Sequence, residues 1–205
     1  MTPQSSCCRL AAFAMVGLLL GGATVGCASD QEKIDAIQAV NQGFRVEYEE
    51  LLVEKGSRTY AANRADAFIA MRVALAQLGM RTEQQDQTLG HLAVAANAPL
   101  PLTEDEWHAA SQADLPLLRK IISPYVGVAA NFVQFDPAGL EVVINATFLD
   151  SPKGSEISLT VRLREIAAAR SGWPRREYVS PHVLTLGIDK IFSTFESELS
   201  AVQRR

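Results

Sequence analysis

Between residues 30 and 55 the apolar side chains fall at Ile34, Ile37, Val40, Phe44, Tyr48, Leu51 and Leu52. That is the spacing of one helical face, and it predicts an amphipathic helix stopped by Gly56 and Ser57. Residues 58–62 read as a short extended segment, a candidate edge strand. Asn63 is placed to cap a second helix with Phe68, Met71, Leu75 and Leu78 on one face, and Gly79 stands where a left-handed stop residue is wanted. Residues 80–86 and 89–96 predict a hairpin whose second strand is small and apolar, at Leu92, Ala93, Val94 and Ala95.

The Pro-rich connector at 98–102 stops both helix and inner strand, because proline fixes φ and lacks a donor. Thr103 followed by Glu106 is a capping box, with Leu102 and Trp107 at the staple positions. Asp114 is expected to cap a further helix that buries Leu117, Leu118, Ile121 and Ile122 and stops before Ser123-Pro124. The apolar run 125–135 is expected to be a strand, with a turn at 136–139. From 140 the pattern alternates. Leu140, Val142, Ile144, Ala146 and Phe148 share a face, and so do Ile157, Leu159, Val161 and Leu163, with Ser158, Thr160, Arg162 and Arg164 opposite. A hairpin centred on 152–153 pairs Phe148 with Ile157, Ile144 with Val161, Thr147 with Ser158 and Glu141 with Arg164. Slipping by one residue would put apolar against polar along both strands. After a loop at 166–180, Ser180-Pro181 starts a last helix with the stripe Leu184, Ile188, Ile191, Phe195, Leu199 and Val202.

Period-two strands with one polar side predict an antiparallel sheet solvated on one face. The expected fold class is therefore α+β: a twisted antiparallel sheet of about five or six strands with helices packed on one face.

The N-terminus adds an address. Residues 1–9 are short and polar with Arg9 as the one charge, and residues 10–26 carry none and are rich in Leu, Ala, Val and Gly. This is the pattern of an export signal, too short and too rich in small residues for a comfortable spanning helix. Thr24-Val25-Gly26-Cys27 matches a lipoprotein cleavage site at Gly26 and Cys27, with Thr24 in place of the usual Leu. The expected organisation is a lipoprotein signal peptide at 1–26, a lipid anchor at Cys27 with an amphipathic stalk helix over 27–56, and a single α+β domain over 57–205. The alternative for the helix is an element packed on the domain. The alternative for the signal is ordinary cleavage after Ala28, which releases a soluble periplasmic protein. The three cysteines are Cys7, Cys8 and Cys27. Processing at Cys27 leaves the mature domain without a thiol, and so without a disulfide, Cys-metal site or Cys nucleophile. Ala28 rather than Asp after the anchor resembles, by enteric sorting rules, an outer-membrane address facing the periplasm.

A net charge of −4 argues against a nucleic-acid partner. His91, His108 and His182 fall in different elements and in no metal-ligand spacing. The string Glu104-Asp105-Glu106-His108 is explained by a capped, acid-rich first turn. No Gly-x-Ser-x-Gly, phosphate-loop or HExxH pattern occurs. No catalytic residue, metal ligand or cofactor is assigned, and the expectation is a non-enzymatic protein. Residues 153–176 carry six basic side chains against Glu156 and Glu165. Within them Trp173, Arg175 and Arg176 form a candidate contact loop for anionic head groups or an acidic partner. Ala93, Ala95, Gly127, Ala129 and Ala146 are candidates to leave room for an apolar ligand between the last helix and the sheet.

Residues 58–96, running strand, helix ending in Leu78-Gly79, then hairpin with Asp86 and Gly90, resemble the helix-grip unit of the BamC family of envelope lipoproteins. The whole chain resembles a proteobacterial outer-membrane lipoprotein family. The resemblance implies a membrane-tethered scaffold or assembly accessory acting through an envelope protein partner. The second expectation is a periplasm-facing binding module for a lipid or small apolar ligand.

Overall fold

In the computed structural model, which describes residues 29–166, 174–177 and 179–204, the long alternating segments build the centre of the sheet. β4 (Leu140–Ser151) and β5 (Gly154–Glu165) pair residue for residue over their whole length. Phe148 faces Ile157, Ile144 faces Val161, Thr147 faces Ser158 and Glu141 faces Arg164, the register expected from the pattern. β3 (His91–Asn97) adds to β4, β2 (Arg81–Asp86) to β3, and β1 (Ser57–Tyr60) to β5. The result is a five-stranded antiparallel sheet in the order β1-β5-β4-β3-β2. The fold class is α+β, as expected.

The inner face carries Leu92, Val94, Val142, Ile144, Ala146, Phe148, Ile157, Leu159 and Val161, all buried. α2 (Arg64–Gln77) and α5 (Pro181–Val202) pack on it through Phe68, Met71 and Leu75 and through Ile188, Ile191, Phe192 and Phe195. Asn63 caps α2 by accepting from the Asp66 N–H at 2.8 Å. Gly79, at φ +79°, closes it: Met80 N–H reaches back to Leu75 O and Gly79 N–H to Ala76 O. That pair of bonds needs a left-handed residue at the corner, which glycine adopts without a Cβ clash. Arg58 ties β1 to α5. Its guanidinium pairs with Asp189 at 2.8 Å and lies 4.3 Å over the Phe192 ring, while Tyr60 Oη donates to Glu196 at 2.8 Å. Burial beside that carboxylate pushes the Tyr60 phenol well above its ordinary range.

α1 (Asp30–Lys55) begins in a capping box that the sequence also shows but that was not among the expectations. Ser29 Oγ accepts from Glu32 N–H, and the Glu32 carboxylate accepts from Ser29 N–H at 2.6 Å. Its inward face packs. Val40 and Phe44 join Leu118, Ile122 and Phe135 in a second apolar cluster, and Tyr48, Leu51 and Leu52 reach the main core. Over residues 30–55 the buried face favours the packed-helix reading over a free stalk. α1 also finishes the sheet edge. β1 covers only Ser155–Ser158 of β5. Beyond it Gly56 O accepts from Leu159 N–H at 2.7 Å, and Tyr48 Oη donates to Val161 O at 2.5 Å.

Two expectations are corrected. The strand expected over 125–135 is absent. α4 (Leu115–Val126) runs through Ser123-Pro124, and a 3-10 segment (Gly127–Phe132) follows. Proline is tolerated here because it lies in the last turn. The Lys120 carbonyl, which loses the amide donor that Pro124 lacks, accepts from Ser123 Oγ instead at 3.3 Å. An apolar run with no alternation does not separate strand from helix. The second correction is Asp114. α3 (Glu104–Gln112) starts in the expected Thr103–Glu106 capping box, but α4 follows so closely that Asp114 sits in helical backbone (φ −93°, ψ −8°) and makes no side-chain cap to α4. Its carboxylate caps α5 instead.

Two glycines give opposite predictions. Gly154 closes the β4–β5 turn at φ +126°, and a Cβ there would lie 2.1 Å from Tyr60 O. Gly154→Ala should cost about 3 kcal/mol or more in urea unfolding, because backbone strain and the clash add. Gly187 lies inside α5 with nothing within 4 Å of its would-be Cβ. Gly187→Ala should stabilise by about 1 kcal/mol in the same assay.

Candidate functional site

The segment before α5 was expected to be the contact loop. Cys27 and Trp173 lie outside the described residues. Arg176 is committed to the fold: its Nε donates to Glu165 Oε1 at 2.7 Å, and its Nη atoms donate to the Asp136 and Ala138 carbonyls at 3.4 and 3.3 Å. Asn41 of α1 clamps the backbone on both sides of it. The amide donates to Arg175 O at 3.0 Å and accepts from Glu177 N–H at 3.1 Å. Arg175 is left with its side chain facing solvent.

Of the other basic residues in the segment, Arg164 is neutralised too. Arg164 donates to Glu141 at 2.8 and 2.5 Å and to Glu83 at 2.9 Å, and Arg81 joins at 3.2 Å from Glu141. These two carboxylates hold the Arg164 guanidinium above its ordinary range. Arg162 stays exposed at the rim of a groove of about 490 Å³ between α1 and β5, lined also by Asn41, Phe44, Arg45, Tyr48 and Glu49. Burial raises the Tyr48 phenol there, and the Arg162 charge opposes the rise.

Asp114, Ser180 and His182 are the one set of residue types in the described chain that resembles a hydrolytic triad, and sequence reasoning missed their meeting. Asp114 is 5% exposed. It accepts from Ser180 Oγ, from His182 N–H at 3.0 Å and, at its other oxygen, pairs with His182 Nδ1 at 2.7 Å. A nucleophilic serine would need its proton taken by the far nitrogen of the imidazole. Here Ser180 gives that proton to the carboxylate and accepts from Val183 N–H at 3.4 Å. Both side chains converge on Asp114, so the cluster satisfies the first turn of α5. A buried anion at a helix N-terminus is also favoured by the helix dipole.

The remaining acids and histidines scatter. His91 opens β3, His108 lies on α3 and His182 at the start of α5. Glu106 accepts from Thr103 N–H at 2.8 Å and from Lys190 Nζ at 2.5 Å. The Lys190 ammonium, and then the Thr103 amide, hold its carboxyl below the ordinary value of 4.5. Among the described residues, no group of three or more His, Cys, Asp or Glu side chains could hold a metal ion.

The small residues considered for a ligand cavity do not converge. Ala93 and Ala95 lie on the opposite sheet face from Ala146, and Gly127 and Ala129 belong to the exposed 3-10 segment. Between the connector, the sheet and α5 there is a void lined by Pro99, Leu102, Val142, Leu163, Val183 and Gly187, among others. Its free volume is about 20 Å³, room for one water-sized sphere, against roughly 300 Å³ or more for an ordinary ligand pocket.

No family model matches the chain, and neither the curated proteins nor the solved structures contain a significant match. Among the described residues no helix is long and apolar enough to cross a membrane.

Asp114→Ala removes the cap of α5 and leaves its buried donors unmatched. It should lower stability by about 2 kcal/mol in urea unfolding. Glu106 gives a pH signature. Because its folded carboxyl is held below 4.5, its contribution is complete above that value and is lost as pH falls through the folded value. The stability gap between wild type and Glu106→Gln should therefore be widest at neutral pH and close as pH falls below the ordinary carboxylate value of 4.5. A gap that stays constant across that range would contradict the assignment.

Proposed function

We propose that this chain is a non-enzymatic envelope protein, lipid-anchored at Cys27 to the outer membrane and facing the periplasm, that acts as a scaffold or assembly accessory through protein contacts. The observation that carries the reading is the outer face of the sheet. Ser57, Thr59, Thr147, Leu149, Ser158 and Thr160 point away from α2 and α5, and Leu149 is 52% exposed there. Ala93 and Ala95 keep the middle of that face low, and the Arg81–Glu83–Glu141–Arg164 network pins one end. A largely polar face with one exposed Leu, short side chains at its centre and the longer Glu156 and Arg162 among them, suits a protein partner better than a small molecule. The helix-grip resemblance of residues 58–96 points the same way, and the signal-like N-terminus supplies the address. The alternative, a module for a lipid or small apolar ligand, would require α5 or the connector to move apart, given the size of the void beneath them.

Two measurements test the proposal. Photocrosslinkers placed at Leu149 and Thr160 in cells should capture a discrete envelope protein, while one at Arg72 on exposed α2 should not. Cys27→Ala should move the protein out of the membrane fraction and abolish that capture. Capture from none of these positions, with the wild type still in membranes, would sink the scaffold reading. Wild type and Cys27→Ala fractionating alike as soluble protein would sink the anchor.

A further inference from the structure

We propose that the 3-10 segment Gly127–Phe132 and the end of α4 form a tip that inserts into the lipid interface beside the anchor. The inference rests on the Cys27 reading above and adds a second membrane contact to it. α1 and α4 lie side by side in opposite directions. Gly43 of α1 approaches Ile121, with 2.7 Å between its would-be Cβ and Ile121 Cδ1. Further along, Lys33, Ala36 and Ile37 line a shared apolar groove with Ile122, Val126 and Val133. The end of α4 therefore arrives at the beginning of α1. There the chain turns at Gly127 (φ +56°) and presents Val128 at 68% and Phe132 at 85% exposure.

Two exposed apolar side chains on one short turn would be unremarkable elsewhere. Their position decides the matter. Ser29 caps α1, and Cys27 lies two residues before it. Two extended residues span at most about 7 Å. A lipid on Cys27 thus holds the start of α1 at the bilayer surface, and the tip beside it comes to the same depth. Among the described residues Val53, at 85%, lies near the far end of α1, away from Cys27, and the other strongly exposed Leu or Phe is Leu89 at 74%. It sits in the β2–β3 turn, next to Gly90, whose carbonyl bonds Phe148 N–H. Leu140, the strand residue that follows the tip in the chain, and Phe148 are eight residues apart along β4, about 26 Å of strand. Asp30, Glu32 and Lys33 flank the start of α1, so the contact is apolar, with no net positive charge to draw anionic head groups.

The test uses the full chain, processed in a bacterial envelope and reconstituted in vesicles of phosphatidylethanolamine and phosphatidylglycerol with brominated acyl chains. Phe132→Trp and Leu89→Trp are compared with the parent protein, whose own tryptophans set the baseline. An apolar tip buried about 5–10 Å brings an indole to the brominated chains, so the added Phe132→Trp emission should fall about twofold. The Leu89→Trp emission should not fall, and both results should be the same in low and high salt. Mass spectrometry of the N-terminal peptide reads the anchor separately. Acylated Cys27 with no quenching of Phe132→Trp would overturn the tip and leave the anchor standing. An unacylated Cys27 would overturn the anchor and, with it, the ground for the tip. A blue-shifted, unquenched Phe132→Trp in a crosslinked dimer would assign the patch to a second copy and overturn the proposal.

Discussion

Two twelve-residue strands, joined by a two-residue turn and paired without a slip, set the terms for the rest of the molecule. Because side chains alternate, one register decides which residues meet the helices and which meet solvent. With Phe148 opposite Ile157, the alternate pairs from Val142–Leu163 to Phe148–Ile157 are apolar and turned inwards, and Glu141 comes opposite Arg164 on the far side. The helices answer to that decision. α5 can lay Ile188, Ile191, Phe192 and Phe195 on the inner face only because that face is continuously apolar. The same alternation makes the outer face largely polar.

The parts of the fold that were legible in the sequence are those in which the information is local or doubled. The β4–β5 register is specified twice, by the apolar set and by the polar set, and each would be ruined by the slip that ruins the other. The Thr103–Glu106 box and the Gly79 stop are contained within a few residues of each other. The strand expected over 125–135 fails for the converse reason. An unbroken apolar run has no period, and the backbone follows what packs against it. Ala130, 2% exposed, is the one buried side chain of the 3-10 segment.

The candidate sites fail or hold by the same logic. Asp114 carries a local signal for a helix start, but the helix it serves begins with Ser180, 66 residues later. A carboxylate that reaches across the fold is invisible to any pattern read along the chain. Arg176 reads as a free cation in a basic loop, yet the side chain and carbonyls that take it up lie in Glu165, Asp136 and Ala138. The Ser29–Glu32 box, by contrast, was there to be read, in the same four-residue form as the one at Thr103.

The Tyr48 hydroxyl on the Val161 carbonyl has a consequence beyond the anchoring of α1. β1 is four residues long and β5 twelve, so much of the β5 border has no strand beside it. Unsatisfied amides and carbonyls along such a border are a template on which another chain can add itself as a strand. Gly56 and Tyr48 take up two of the exposed groups, and α1 runs beside Val161–Leu163 across the groove described above. On the far border, β2 is interrupted by an irregularity between Thr82 and Gln84 and fringed with Arg81 and Glu83. The helix that leads towards the N-terminus thus doubles as a guard rail that hinders polymerisation along the β5 border.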